Sequence, residues 1–271
     1  MAKLLLCLLL LPALAHAEAR RIVSLAPHIT EILFAIGAGD QVVGVDSASD
    51  YPESAQTLPR VANYRSLNLE RILALEPDLV VAWQSAQSLQ VAPLEQLGIR
   101  VEYSEPRQLD DLGNELTRFG RLTGHQEQAQ RVAEHYQRTL SALRQRYQGV
   151  APVRVFYQLN EVPLMSASRH TWMGQAVTLC GGDSITADSP TPYPQIDPEF
   201  MLAQDPEVIL AESLQAMQRW RDWPALTAVR RNQLFTIDVD SLHRFTPRTP
   251  GGIAALCRQL DLAREHRLKA N

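Results

Sequence analysis

The sequence predicts an α/β fold of two lobes with similar topology, each on a parallel-rich sheet, joined by a long helix and facing each other across a cleft. Three observations predict it. Strand-like and helix-like segments alternate through residues 21–104 and again from residue 153 onward. A long run of helical periodicity, 108–147, separates the two stretches. One short unit is also written twice: LERILALEPDLVVA (69–82) and PEFMLAQDPEVILA (198–211). At a constant offset of 129 residues, Glu70 meets Glu199, Leu73 meets Leu202, Ala74 meets Ala203, Pro77 meets Pro206 and Ala82 meets Ala211.

The first half opens with RIVSLA (21–26), a short β-rich run, and then Pro27. In PHITEILFAIGAG, Thr30 stands as the cap of a helix carrying Ile32, Leu33 and Ile36, with Gly37 and Gly39 ending it. QVVGVD (41–46) reads as a second strand. LERILALE is a helix that Pro77 separates from the strand DLVVAW (78–83), and GIRVEYS (98–104) is another strand. Continuous apolar strands interleaved with helices suit a parallel sheet covered on both faces.

QLDDLGNELTRFGRL (108–122) is an amphipathic helix interrupted at Thr123-Gly124. The segment 125–147 then puts Ala129, Val132, Ala133, Tyr136, Leu140, Leu143 and Tyr147 on one stripe. Such a helix is a rod of ~34 Å. Gly149 and Pro152 stop it, and VRVFYQL (153–159) restarts the alternation. A helix in TWMGQAVTLCGG, a helix over 199–204, the strands EVILAE and QLFTIDVD, and a last helix from Gly252 to His266 follow. The expected divisions are a leader at 1–17, an N-terminal lobe at 18–107, a helical linker region at 108–149 and a C-terminal lobe at 150–271.

The leader is MAKLLLCLLLLPALAHA: Lys3, an apolar core through Leu11, and Ala15-His16-Ala17 as a small-x-small cleavage site. That core is too short to span a bilayer, so an exported product cut near Ala17 is expected. The formal charge of −4 lacks the basic footprint of a nucleic-acid-binding protein. Cys7 leaves with the leader. In an exported chain the remaining pair, Cys180 and Cys257, reads as a disulfide, worth ~4–5 kcal/mol in the chain-entropy picture. The other reading, a two-cysteine metal site, lacks a histidine at ligand spacing.

Catalytic signatures are missing: there is no G-x-S-x-G elbow, Walker loop, strand-following G-x-G-x-x-G or H-E-x-x-H. A metal site would have to assemble from distant residues such as His28, His170 and His243 with an acid. Aromatics instead gather at strand ends and loops, at Tyr51, Tyr64, Trp83 and Tyr193. Residues past the carboxyl ends of parallel strands line the crevice of open α/β sheets, and flat aromatics there suit a bulky ligand with an apolar face. In DVDSLHRFTPR, Asp240 and Arg244 offer a carboxylate and a guanidinium to amides or a phosphate.

In their order and spacing, RIVSLAPHITEILFAIGAGDQVVGV, SDYP, NLERILALEPDLVVAW, LCGGDSI, YPQI and D…HRFTPR…LC resemble the cobalamin (vitamin B12)-binding proteins of bacterial ABC importers. These belong to the helix-linked periplasmic binding proteins for cobalamin, haem and siderophores. The resemblance covers the mature chain. It implies Rossmann-like lobes, a rigid helical connector, and one corrinoid held between the lobes by Pro27, Tyr64, Trp83, Met165, Tyr193, Asp240 and Arg244. Cobalamin would be cargo, with no cofactor, no metal site and no catalysis. Tyr64 and Tyr193 stand where tryptophans occur in that group, Met165 where a phenylalanine does, and Ala48 where a tyrosine does. The group's disulfide corresponds to Cys180 and Cys257.

Two alternatives go with this reading. Haem-binding relatives place an iron-ligating tyrosine in a context like that of Tyr64, which makes a haem or siderophore carrier the first alternative. An exported metal-dependent enzyme is the second. The resemblance further implies a periplasmic monomer that delivers cargo to an inner-membrane permease dimer, with Glu70 and Glu199 meeting the permease. A two-fold partner engages a pseudo-symmetric one through equivalent patches. A glutamate in a helix's first turn is also favoured by the macrodipole, by ~0.3–1 kcal/mol. A helical connector implies small lobe movements, because few of its residues can absorb φ/ψ change.

Overall fold

The structure is a computed structural model that describes residues 18–270; the expected leader lies outside the described residues. The N-terminal lobe holds β1 (Ile22–Ser24), β2 (Val42–Asp46), β3 (Arg60–Ala62), β4 (Leu79–Trp83) and β5 (Val101–Ser104). They form one sheet in the order β3-β2-β1-β4-β5, every pairing parallel. Helices α1 (Pro27–Ala35), α2 (Leu69–Ala74) and α3 (Gln84–Gln96) lie between the strands in sequence. Leu79 through Ala82 are fully buried, as a strand covered on both faces must be. The chain leaves β1 toward one edge and returns through β4 on the other side. A crevice opens at the carboxyl ends of two strands at such a switch point.

The first helix begins earlier than a Thr30 cap would put it. Pro27 takes the first helical position, where its missing N–H and fixed φ are no handicap. Thr30 is instead buried within α1, its hydroxyl 2.8 Å from that of Ser24 and 2.9 Å from that of Ser49.

The connector is a pair of helices, α4 (Asp111–Thr123) and α5 (Gln126–Tyr147). Gly124, at φ +79°, turns the chain between them. Gly120 lets them close, since a Cβ there would stand 2.4 Å from that of Ala129. The stripe on α5 buries Ala129, Ala133, Tyr136, Leu140 and Tyr147. These join one apolar core that runs from Ile22 and Leu33 through Leu116 and Phe119 to Val153 and Leu256. The rod is therefore embedded in both lobes rather than strung between them. Tyr136 donates to the Leu109 carbonyl at 2.7 Å, and Asp110 pairs with Arg144 at 2.8 Å.

The C-terminal lobe is built around β6 (Val153–Asn160). β9 (Val208–Ala211) and then β10 (Leu234–Thr236) lie on one side, all parallel. On the other side β8 (Gly182–Ser184) runs parallel to the start of β6, and β7 (Met165–Ser166) runs antiparallel to its end. The helices are α6 (Trp172–Leu179), α7 (Pro198–Gln204), α8 (Leu214–Trp220), α9 (Thr227–Arg230), α10 (Val239–Leu242) and α11 (Thr249–Ala270). QLFTIDVD is a strand only through Thr236. The Asp238 carboxylate then accepts from the Ser241 backbone and hydroxyl, capping α10 and putting Asp240 on a helix. A disulfide joins Cys180, at the end of α6, to Cys257 of α11. No helix among the described residues is long and apolar enough to cross a membrane.

The duplicated unit occupies one place in both lobes. α2 leads to β4 beside β1, and α7 leads to β9 beside β6. Even the break repeats: Glu76 at φ +47° and Asp205 at φ +42° both take the left-handed conformation, each directly before its proline.

Candidate functional site

Residues at the carboxyl ends of β4 and β5 face residues of the C-terminal lobe across one cleft. A cavity of about 490 Å³ is lined by Trp83 at the end of β4 and by Glu105 and Pro106 just past β5. His170, Trp172, Pro192 and Tyr193 line it from the C-terminal lobe. An adjoining chamber of about 70 Å³ shares Trp83, Pro106 and Trp172 and adds Pro27, His28, His243, Arg244 and Phe245.

Each wall residue is held by its neighbours. The Trp83 backbone donates to Gln87 at 2.8 Å, and its ring meets that of His28 edge-on, centroids 5.5 Å apart. Thr171 caps α6 by accepting from Gly174 at 3.1 Å, and the next residue is Trp172. Gly174 is required there, because a Cβ would lie 2.0 Å from the Ser168 carbonyl oxygen. The Trp172 indole N–H donates to the Leu242 carbonyl at 2.8 Å, and its ring lies 5.3 Å from that of Phe245. These contacts leave rigid apolar faces on both sides of the cleft.

The chamber's imidazoles are neutral. Burial lowers the His28 pKa to about 4, with Nε2 3.3 Å from the Ser104 hydroxyl. Burial also lowers His243 to about 4 against an opposing pull from Asp240, and its Nε2 lies 3.1 Å from the Tyr157 hydroxyl. Burial first, and then the Glu105 charge, raise the Tyr193 phenol above its ordinary value, so it too is uncharged. Arg244 brings a charge to the inner chamber. It pairs with Asp240 at 3.1 Å on its own lobe and reaches Asp50 and Glu31 of the other.

The structure thus brings Pro27, Trp83, Tyr193 and Arg244 to the two cavities, with Asp240 joined through Arg244. It does not bring Tyr64 or Met165 to either lining. Tyr64 stands on the loop after β3, 82% exposed, with the Arg65 guanidinium 5.0 Å from its ring centre. Met165 pairs with Asn160 and Gln195 in a strand. Glu70 and Glu199 are both exposed in the first turns of α2 and α7, and among the described residues neither carboxylate has an ion-pair partner. His28, His170 and His243 converge on the cleft, yet among the described residues no group of three or more His, Cys, Asp or Glu side chains is placed to hold a metal.

Sequence reasoning passes over Trp172, Pro106, Phe245 and Glu31. Trp172 reads as one more helix residue. The signal was its place directly after a Thr cap, which puts it at a helix start. Pro106 stands two residues past β5, beyond the carboxyl end of a parallel strand.

A family profile described as periplasmic binding protein matches residues 22–240. The chain is 38% identical over 251 residues to the vitamin B12-binding protein of Vibrio cholerae, covering 91% of each. It is 38% identical over 267 residues to that of Yersinia pestis, covering 96% of this chain and 91% of the relative. The crystal structure of the periplasmic vitamin B12-binding protein of Vibrio cholerae matches at a TM-score of 0.84, covering 91% of this chain and 98% of that one. A periplasmic haem-binding protein from Roseiflexus matches at 0.81 with 26% identity, covering 91% and 99%. On these matches and its two-lobed architecture, the chain belongs to the periplasmic binding protein family.

Proposed function

We propose that this chain captures cobalamin in the cleft between its lobes and hands it, chemically unchanged, to an ABC permease dimer. The observation that carries the reading is the pairing of aromatic walls: Trp83 on one lobe and Trp172 with Tyr193 on the other line a single cavity. A macrocycle with broad apolar faces and peripheral amides fits such walls, and Asp240 and Arg244 supply polar partners close by. Relatives named vitamin B12-binding protein stand at 38% identity, against 26% for the haem-binding neighbour. For a haem carrier Tyr64 would have to ligate iron, and its ring sits outside both cavities.

Ligand residues in this reading are Pro27, Trp83, Tyr193, Asp240 and Arg244, together with Tyr64 and Met165, which would have to meet the ligand from outside both linings. Export with cleavage near Ala17, action as a periplasmic monomer, and docking through Glu70 and Glu199 belong to the same proposal. So do the lobes at 18–107 and 150–271 and the linker at 108–149. Cobalamin is cargo, and no reaction is assigned to the cleft. Native mass spectrometry of the mature chain with equimolar cyanocobalamin and hemin tests this. The expected product is a one-to-one cobalamin complex whose ligand mass does not change on standing; a modified ligand or a hemin complex would overturn it.

A further inference from the structure

Glu31 is an acid buried at the meeting of the lobes. It lies on α1 of the N-terminal lobe with its side chain 2% exposed. Both of its counter-ions come from the C-terminal lobe. Arg248 grips it with two bonds, Nε to Oε2 at 2.8 Å and Nη2 to Oε1 at 2.7 Å, and Arg244 Nη1 stands 3.3 Å from Oε1. The crossing is reinforced on either side. Arg244 also bonds Asp50, and the Arg248 guanidinium lies 4.1 Å from the centre of the Tyr51 ring.

A two-pronged guanidinium–carboxylate bond is strong and directional. A carboxylate buried without its partner is unfavourable, so Glu31 is satisfied where it stands only while the lobes are together. Opening the cleft means breaking the fork and parting the buried Glu31 from both of its counter-ions. Arg244 ties this to the cleft, because the guanidinium that touches Glu31 also lines the inner chamber. The helix pair α4–α5 accounts for stiffness in the connector; the Glu31 cluster is a second brace, across the gap itself.

We propose that Glu31 is a positioning residue that latches the lobes together and holds Arg244 at the cleft wall, and so sets how slowly ligand leaves. The dissociation arm of the test rests on cobalamin as the ligand; the latch itself does not. Two variants probe it. Glu31→Gln keeps the shape and removes the charge, and Arg248→Lys keeps the charge and removes the fork. Each is expected to speed cyanocobalamin dissociation in stopped flow by about tenfold with little change in association, the usual division for an altered contact. Each should also widen the ligand-free scattering envelope and speed hydrogen exchange in α1.

Unchanged scattering and exchange in both folded single variants would overturn the latch, as would cyanocobalamin dissociation no faster than that of the unaltered chain in both. Should the unaltered chain not bind cobalamin, the function proposed above fails, while scattering and exchange on the ligand-free protein still decide the latch.

Discussion

Glu70 and Glu199 hold one position in two copies of a single unit. Each is the second residue of its helix, exposed, and followed three residues later by a partly exposed leucine, Leu73 or Leu202. Each helix then passes through a left-handed acid and a proline into the strand beside its lobe's central strand. A helix start alone rationalises one glutamate through the dipole. It does not rationalise why neither carboxylate has an ion-pair partner among the described residues, nor the repeat. Equivalent acids on equivalent elements suit a two-fold partner bearing cations.

Reversing both charges, Glu70→Lys with Glu199→Lys, is therefore expected to abolish vitamin uptake in cells. Calorimetric affinity should stay within about twofold, the usual range for exposed substitutions. Undiminished uptake would remove these residues from the docking surface.

Trp83→Ala removes one aromatic wall and the edge-on contact with His28. Cobalamin binding is expected to weaken by about 2 kcal/mol, roughly 30-fold, as for a central aromatic contact. Titration calorimetry reads this directly, and an affinity loss below about twofold would place the ligand elsewhere.

Tyr64→Phe separates the two kinds of cargo. Its ring is 82% exposed, and a corrinoid contact needs only the ring, whereas iron ligation needs the phenolic oxygen. Cobalamin affinity is expected to hold within about twofold. Loss of a hemin absorption band on this substitution would assign the tyrosine to iron.

Local features were legible where one physical rule governs them. Leu79–Ala82 and Val208–Ala211 are buried on both faces and read as continuous apolar runs. The α5 stripe follows helical period and is buried as that period requires. The disulfide pair followed from the cysteine count in a chain read as exported. Other elements carry weak local signals. Strand β3 is three residues long, and α3 is a polar segment with Pro93 inside it that buries only Gln87, Val91 and Leu94. The latch was beyond reach for a different reason: Glu31 and Arg248 are 217 residues apart, and each alone looks like a surface charge. Arg244 was legible as a polar group near the cleft, but its engagement with Asp50 and Glu31 exists only once the lobes meet.

Acid should loosen the fold through the chamber's histidines. His28 and His243 titrate near 4 when folded, against 6.5 as the ordinary value. Between those values the unfolded chain holds more protons, so stability rises with pH across that window and is lost as pH falls through it. Each group contributes on the order of 3 kcal/mol at most. The urea midpoint is expected to fall steadily from pH 6.5 to 4, and His28→Gln should flatten that slope. A level profile in the unaltered chain would show that these imidazoles are not buried neutral.

Titrating cyanocobalamin into the purified mature chain by calorimetry, beside a parallel titration of hemin, tests the central claim most directly. The expected result is tight one-to-one cobalamin binding with hemin weak or absent. Tight hemin binding with no heat from cobalamin would contradict it.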